Sequence, residues 1–210
     1  MSNLTLVYIA KDQAGLDFFS LGHFRFHGAP QVDVEYIGWA NDAGSPLSKI
    51  ANEMLDRCKS PVFGLCHADA VFGPGALDAF VAEAMRGAVC GIVGRTIEGL
   101  YRVSRRPMRD IWWDGKARMA GPGPVSTLDC MAVFFRRDLG LRFDEETFDG
   151  FHCHVEDLCL QAHARGIPVT VPLADAHHRN HTQSWAFLAD YRRYRLKLTE
   201  KWAGTEFQTT

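Results

Sequence analysis

Apolar positions follow two rhythms along the chain, and the switches between them predict alternating strands and helices. Residues 4–10 (Leu-Thr-Leu-Val-Tyr-Ile-Ala) are a short apolar run, and residues 32–39 roughly alternate with a period of two until Asn41-Asp42-Ala43-Gly44 ends the pattern. Both read as strands. Leu47, Ile50, Ala51, Met54 and Leu55 then share one helical face behind Ser45-Pro46, with Pro46 suited to the first turn. The densest apolar run, residues 61–72, leads into His67-Ala68-Asp69 and on to Gly73-Pro74-Gly75, where another helix opens with Ala76, Leu77, Phe80, Val81 and Ala84 on one side. A short strand over 88–93 follows.

The rhythm fails between residues 94 and 124, where Gly, Pro and Arg gather around Trp112-Trp113-Asp114-Gly115. An unpatterned stretch of that length inside a compact domain predicts a flexible lid or binding loop, with plain disorder as the alternative. Patterning resumes with a strand over 127–135, a helix over 155–165 stopped by Gly166, and a strand over 167–171. The histidines of His177-His178-Arg179-Asn180-His181 come next. Phe187, Leu188, Tyr191, Tyr194, Leu198 and Trp202 then recur at helical spacing, predicting an amphipathic helix over about 183–203 that docks on the rest of the chain. The β, α, β, α, β order predicts an α/β fold, a mainly parallel central sheet flanked by helices.

Composition narrows the function classes. The 210 residues are 47% hydrophobic, enough for a sizeable core and one domain over 1–210. With 23 basic and 25 acidic residues and a net charge of −2, nothing in the bulk electrostatics calls for nucleic acid or an anionic membrane. Six cysteines without paired zinc spacing suit buried thiols in a reducing compartment. No stretch has the length and apolarity of a membrane span or signal peptide, so the expectation is a cytoplasmic protein.

Three clusters carry candidate chemistry. Open α/β sheets bind ligands at the carboxyl ends of their strands, where His67 and Asp69 are expected. If the strand stays extended through them, the two side chains share a face and suit Mn2+, Fe2+ or Zn2+. The competing reading is that Asp69 caps a turn while His67 bonds backbone. In the second cluster, His152, His154, Glu156 and Asp157 lie at a helix start, where acidic residues are ordinary first-turn composition. A carboxylate there within reach of a substrate proton also fits a general base. The third, His177, His178 and His181, is either a metal corner or a solvated turn.

Taken in order, these pieces resemble the family-2-like glycosyltransferases of the GT-A fold, in the subgroup whose DXD metal motif has a histidine before the aspartate. The resemblance runs from about residue 32 to 202. It rests on Asn52, His67-Ala68-Asp69, Gly91-Ile92-Val93-Gly94, Thr127-Leu128-Asp129, Phe143-Asp144-Glu145, Phe151-His152, Asp157-Leu158-Cys159-Leu160, Gly166, the downstream histidines and Lys201-Trp202. It implies a nucleotide-diphosphate sugar donor, with UDP favoured, and a divalent cation, Mn2+ or Mg2+, held by Asp69 and by His178, with His181 also a candidate. It further implies a carbohydrate or other hydroxyl-bearing acceptor and inversion at the anomeric carbon. Asp157, with Glu156 second, is the implied catalytic base. Asp42, Asn52, His67, Asp69 and Asp129 are the implied donor-binding residues, and Trp112 and Trp113 the acceptor loop. Some members of that family carry a further acidic residue two positions before the one matching Asp157, where this chain has Val155 beside His154. That departure leaves open that His154 substitutes, or that the chain is an impaired scaffold binding nucleotide or glycan. A sugar-phosphate nucleotidyltransferase would use a similar sheet, but Lys11-Asp12-Gln13-Ala14-Gly15 is a poor version of its Gly-rich basic loop.

Overall fold

Three apolar runs of the N-terminal half pair side by side in parallel. In the computed structural model, which describes residues 2–17, 30–96, 99–102, 119–120, 122–178 and 185–207, these are β1 (Leu4–Ala10), β2 (Val34–Ala40) and β3 (Val62–His67). β1 pairs with both others and is buried along its whole length, which explains its unbroken apolar run. β2 is the edge strand and mixes half-buried with exposed positions. Its period-two pattern follows from having one open face.

The remaining elements are β4 (Ala70–Phe72), β5 (Val89–Gly91), β6 (Val93–Thr96), β7 (Gly99–Arg102), β8 (Met119–Ala120), β9 (Gly123–Pro124), β10 (Thr127–Leu128), β11 (Ala132–Arg136), β12 (Val169–Val171) and β13 (Ala176–His178). The helices are α1 (Leu47–Arg57), α2 (Ala76–Met85), α3 (His154–Ala164) and α4 (Trp185–Lys201). The central sheet runs β2-β1-β3-β11-β5-β12-β9, with β11 and β9 antiparallel to the other strands. The α/β architecture with a mainly parallel sheet is therefore as the patterning predicts.

Apolar side chains fill both sides of the sheet. Phe80 of α2 stacks on Phe134 of β11 with centroids 4.5 Å apart, and Phe72 meets both rings edge-on. Gly64 is needed in β3 because a Cβ there would come within 2.8 Å of Leu6 and Phe134. A smaller cluster of Phe148, Cys153, Leu160, Tyr194 and Leu198 seats α4 against its own chain.

Two expectations need correction. The stretch 94–124 is not structureless where it is described: parts of it are β6, β7, β8 and β9, and β10-β6-β7-β8 form a second sheet. Strands of two to four residues are too short to register as periodicity. The Trp112 and Trp113 loop lies outside the described residues. The apolar run 61–72 is also two strands, broken by a turn at Ala68-Asp69. Strand alternation therefore does not carry through from His67 to Asp69.

Candidate functional site

The carboxyl ends of β1, β2 and β3 are level with one another, because Ala10 is in register with Ala40, and Ile9 with both Trp39 and His67. Asn41 continues that edge by donating its backbone N–H to the Ala10 carbonyl, and its side chain closes a turn with Ser45 around the exposed Asp42. The His67-Ala68-Asp69 turn is fixed to both neighbours: Ala68 N–H bonds the Ile9 carbonyl at 2.9 Å, and His67 N–H bonds the Met131 carbonyl at 3.0 Å. The Asp129 carboxylate accepts the Met131 N–H at 2.9 Å, so the segment entering β11 holds that acid at the same edge.

β13 returns antiparallel along β4, setting His178 opposite Ala70 and His177 opposite Val71. The backbone thus brings His178 beside the residue that follows Asp69. Among the described residues no group of three or more His, Cys, Asp or Glu is arranged to hold a metal. His181 lies outside the described residues.

α3 runs back toward β12, which places its first turn at this edge. That turn is buried: Glu156 is 3% exposed and Asp157 0%. One Asp157 oxygen accepts Trp202 Nε1 at 2.7 Å and pairs with Lys201 Nζ at 2.7 Å, while the other accepts Gln161 Nε2 at 2.8 Å. Lys201 also reaches Asp144 at 2.8 Å. Burial alone would raise the Asp144 carboxyl, but hydrogen bonds from Lys201 and Thr147 hold it well below the usual range. Asp157, the expected base, therefore has one oxygen joining α3 to the end of α4 and the other bonded to Gln161 within α3.

Asn52, expected at the donor, is likewise held by internal hydrogen bonds. Its amide donates to the Phe143 carbonyl at 2.8 Å and to Glu145 at 2.6 Å, and its oxygen accepts the Phe143 N–H at 3.0 Å. The side chain ties α1 to the segment ahead of α3, and the residue is 5% exposed.

Sequence reasoning did not foresee that His67 meets the segment before α3. Its ring lies 5.3 Å from that of Phe151. Behind Phe151, burial pushes His152 down to about 4 against the partial pull of Asp190. Burial, with the fields of His67 and His152, pushes His154 down to about 3, while the Phe151 backbone acts in the opposite sense. His154 is 1% exposed and neither ring nitrogen has a well-formed hydrogen bond. The sequence signals here were the family-like Phe151-His152 pair and the His152, His154, Glu156 and Asp157 cluster.

No protein-family profile matches the chain. It is 28% identical over 170 residues to a Fuscovulum blasticum protein described as "ATP synthase subunits region ORF 6", covering 75% of this chain and 68% of that protein. Among solved structures it resembles GalNAc-T7, crystallised with UDP, GalNAc and Mn2+, at a TM-score of 0.62 and 10% identity, covering 97% of this chain and 48% of that one. S. aureus TarS 1-349 aligns at 0.53 and 13% identity, over 97% of this chain and 67% of that one. A197 from STIV aligns at 0.50 and 13% identity, over 85% and 86% of the two chains. The chain spans about half the length of GalNAc-T7. These likenesses, with the sheet order above, show that the chain has a GT-A-like glycosyltransferase fold.

Proposed function

We propose that the protein is a metal-dependent, inverting glycosyltransferase that moves a sugar, hexosyl in type, from a UDP-sugar to an acceptor hydroxyl. The observation that carries this reading is the convergence of Asp69 and the His178 strand at the carboxyl edge of a GT-A-like sheet. Asp69 and His178, with His181 from the adjoining segment, would hold Mn2+ or Mg2+. The ion supplies charge neutralisation for the departing diphosphate. Asp42 would meet base or ribose, and His67 and Asp129 would line the donor sugar. Trp112 and Trp113 take the acceptor side.

In transfer, the acceptor oxygen bonds the anomeric carbon as the bond to the diphosphate breaks, and the acceptor proton passes to a carboxylate. With Asp157 committed to Lys201, Trp202 and Gln161, Glu156 is the carboxylate assigned that proton, and Asp157 positions the turn. Six unpaired thiols suit the reducing cytoplasm in which we place the reaction. Among the described residues no helix is long and apolar enough to cross a membrane.

One observation favours a second reading, a scaffold that binds nucleotide or glycan without transfer. Buried Val155 stands where relatives carry an acid, and both neighbouring carboxylates are buried. Transfer and donor-hydrolysis assays over a panel of UDP-sugars with Mn2+, on wild type, Asp69→Ala and Glu156→Gln, separate the two. Turnover lost in both variants supports the enzyme. UDP or glycan binding by wild type with neither transfer nor hydrolysis supports the scaffold, no nucleotide binding with any metal overturns the transferase, and no binding of nucleotide or glycan overturns both.

A further inference from the structure

Among the described residues, Arg95 is a cation without an anion. It is half-buried in β6, its Nε is shut away from solvent with no hydrogen-bond partner, and no carboxylate pairs with its guanidinium among those residues. Other arginines of the chain are matched: Arg142 to Asp56, Arg137 to the Cys58 carbonyl, and Arg165 to the carbonyls of Leu139 and Gly140. Buried polar atoms are nearly always bonded, so an orphaned one points to a partner from outside the chain. Water could bond the Nε, but a partly desolvated charge is balanced only by an anion.

The sheet places this cation at the edge already described. Val133 of β11 faces Leu65 of β3 on one side and Gly91 of β5 on the other, so β3 and β5 run parallel and level. Asp69 follows Leu65 by four residues and Arg95 follows Gly91 by four, both past the carboxyl edge. The two strands are two spacings apart, about 10 Å. The antiparallel pairing of β6 and β10 sets Arg95 opposite Thr127, and the Asp129 N–H bonds the Val93 carbonyl at 2.9 Å in the same register. Arg95, Thr127 and Asp129 therefore leave this ribbon on one face. The other face is filled, since Leu128 is fully buried and a Cβ at Gly94 would strike Val125.

We propose that Arg95 binds a carboxylate or phosphate group carried by the acceptor, which is therefore an anionic sugar or glycan. The assignment rests on the glycosyltransferase reading, in which the Asp69 corner takes the diphosphate and Asp129 the donor sugar, leaving Arg95 on the acceptor side. The guanidinium fork matches two oxygens of either group. Asp129 on the same face sets the polarity, directing the oxyanion to Arg95 and away from itself.

Isothermal titration of methyl glucuronoside, a hexose 6-phosphate and neutral methyl glucoside, each with and without UDP and Mn2+, tests the proposal on wild type, Arg95→Gln and Arg95→Lys. Wild type should bind at least one anionic sugar about tenfold more tightly than the neutral one. Arg95→Gln should lose that preference and Arg95→Lys keep part of it, because an ammonium keeps the charge without the fork. Which anionic sugar shows the effect assigns carboxylate or phosphate. UDP with Mn2+ should bind wild type and both variants alike, which also shows that the variants fold; if Arg95→Gln does not fold, Arg95→Lys carries the comparison. Equal binding of anionic and neutral sugars by wild type, or an anion preference unchanged in both variants, overturns the proposal. A loss of UDP affinity in folded Arg95→Gln assigns the guanidinium to the diphosphate and overturns it too. Binding of an anionic sugar that depends on Arg95, with no UDP binding under any condition, supports the oxyanion site and overturns the transferase reading.

Discussion

Trp202 Nε1 donates to Asp157 Oδ1 over 2.7 Å, across 45 residues of chain. The same oxygen receives Lys201, which also binds Asp144. The end of α4 is thereby stitched to the first turn of α3, and an acid that the motif presents as catalytic has a structural duty.

Replacing Asp157 with Asn should therefore act first on stability. The variant leaves Lys201 short of a partner and is expected to lose about 2 to 3 kcal/mol, somewhat less than for a fully buried pair because Lys201 stays partly exposed. Urea unfolding of wild type, Asp157→Asn, Lys201→Met and the double variant measures the coupling. An unchanged midpoint in Asp157→Asn with turnover abolished would instead make Asp157 the base.

The buried histidines predict sensitivity to mild acid. His154 is held near 3 and His152 near 4, below the ordinary 6.5, so the unfolded chain binds more protons across that interval and stability falls as pH drops below about 6.5. For His154 the loss between pH 6.5 and 5 is on the order of 2 kcal/mol. Chemical denaturation at pH 7.5, 6.5, 5.5 and 5.0 should give a shallower pH slope for His154→Leu than for wild type. Parallel slopes would contradict the assignment.

Metal dependence is expected to show in binding before turnover. UDP with Mn2+ at about a hundred times its dissociation constant stabilises the folded state by roughly 2.7 kcal/mol. Thermal melts should show that gain in wild type and little of it in Asp69→Ala, with unliganded melting points close together because Asp69 sits in a half-buried turn. A full nucleotide shift retained in Asp69→Ala would remove that residue from the site.

Gly150→Ala tests the seat of α4. The added methyl overlaps Tyr194, so the helix or the 150–153 segment must move, at a cost of about 1 to 3 kcal/mol. Truncating the opposing ring in Gly150→Ala/Tyr194→Ala should make the two losses less than additive, read from equilibrium unfolding.

Much of the fold was legible because burial imposes a local period. β1 and the apolar faces of α1, α2 and α4 could be read from spacing, since strands and helices bury fixed repeats. The break at Ala68-Asp69 could not, because both sides of the turn are equally apolar. Nor could β13, three residues that exist only by pairing with β4. Candidate chemistry divided along the same line. The sequence pointed to the acids and histidines as types, while their availability depended on contacts 45 residues or more away, as for Asp157 with Trp202 and Asn52 with Phe143.

By itself, then, the sequence determined the α/β alternation and the apolar runs of the core, because each follows from residues close along the chain. Tertiary structure alone decided that Asp157 and Asn52 bond to distant segments, that His178 pairs with Ala70, the residue after Asp69, and that the rings of Phe151 and His67 lie close together. A side chain's chemical type is local. Whether its polar atoms or ring face remain available depends on which distant segments fold against it.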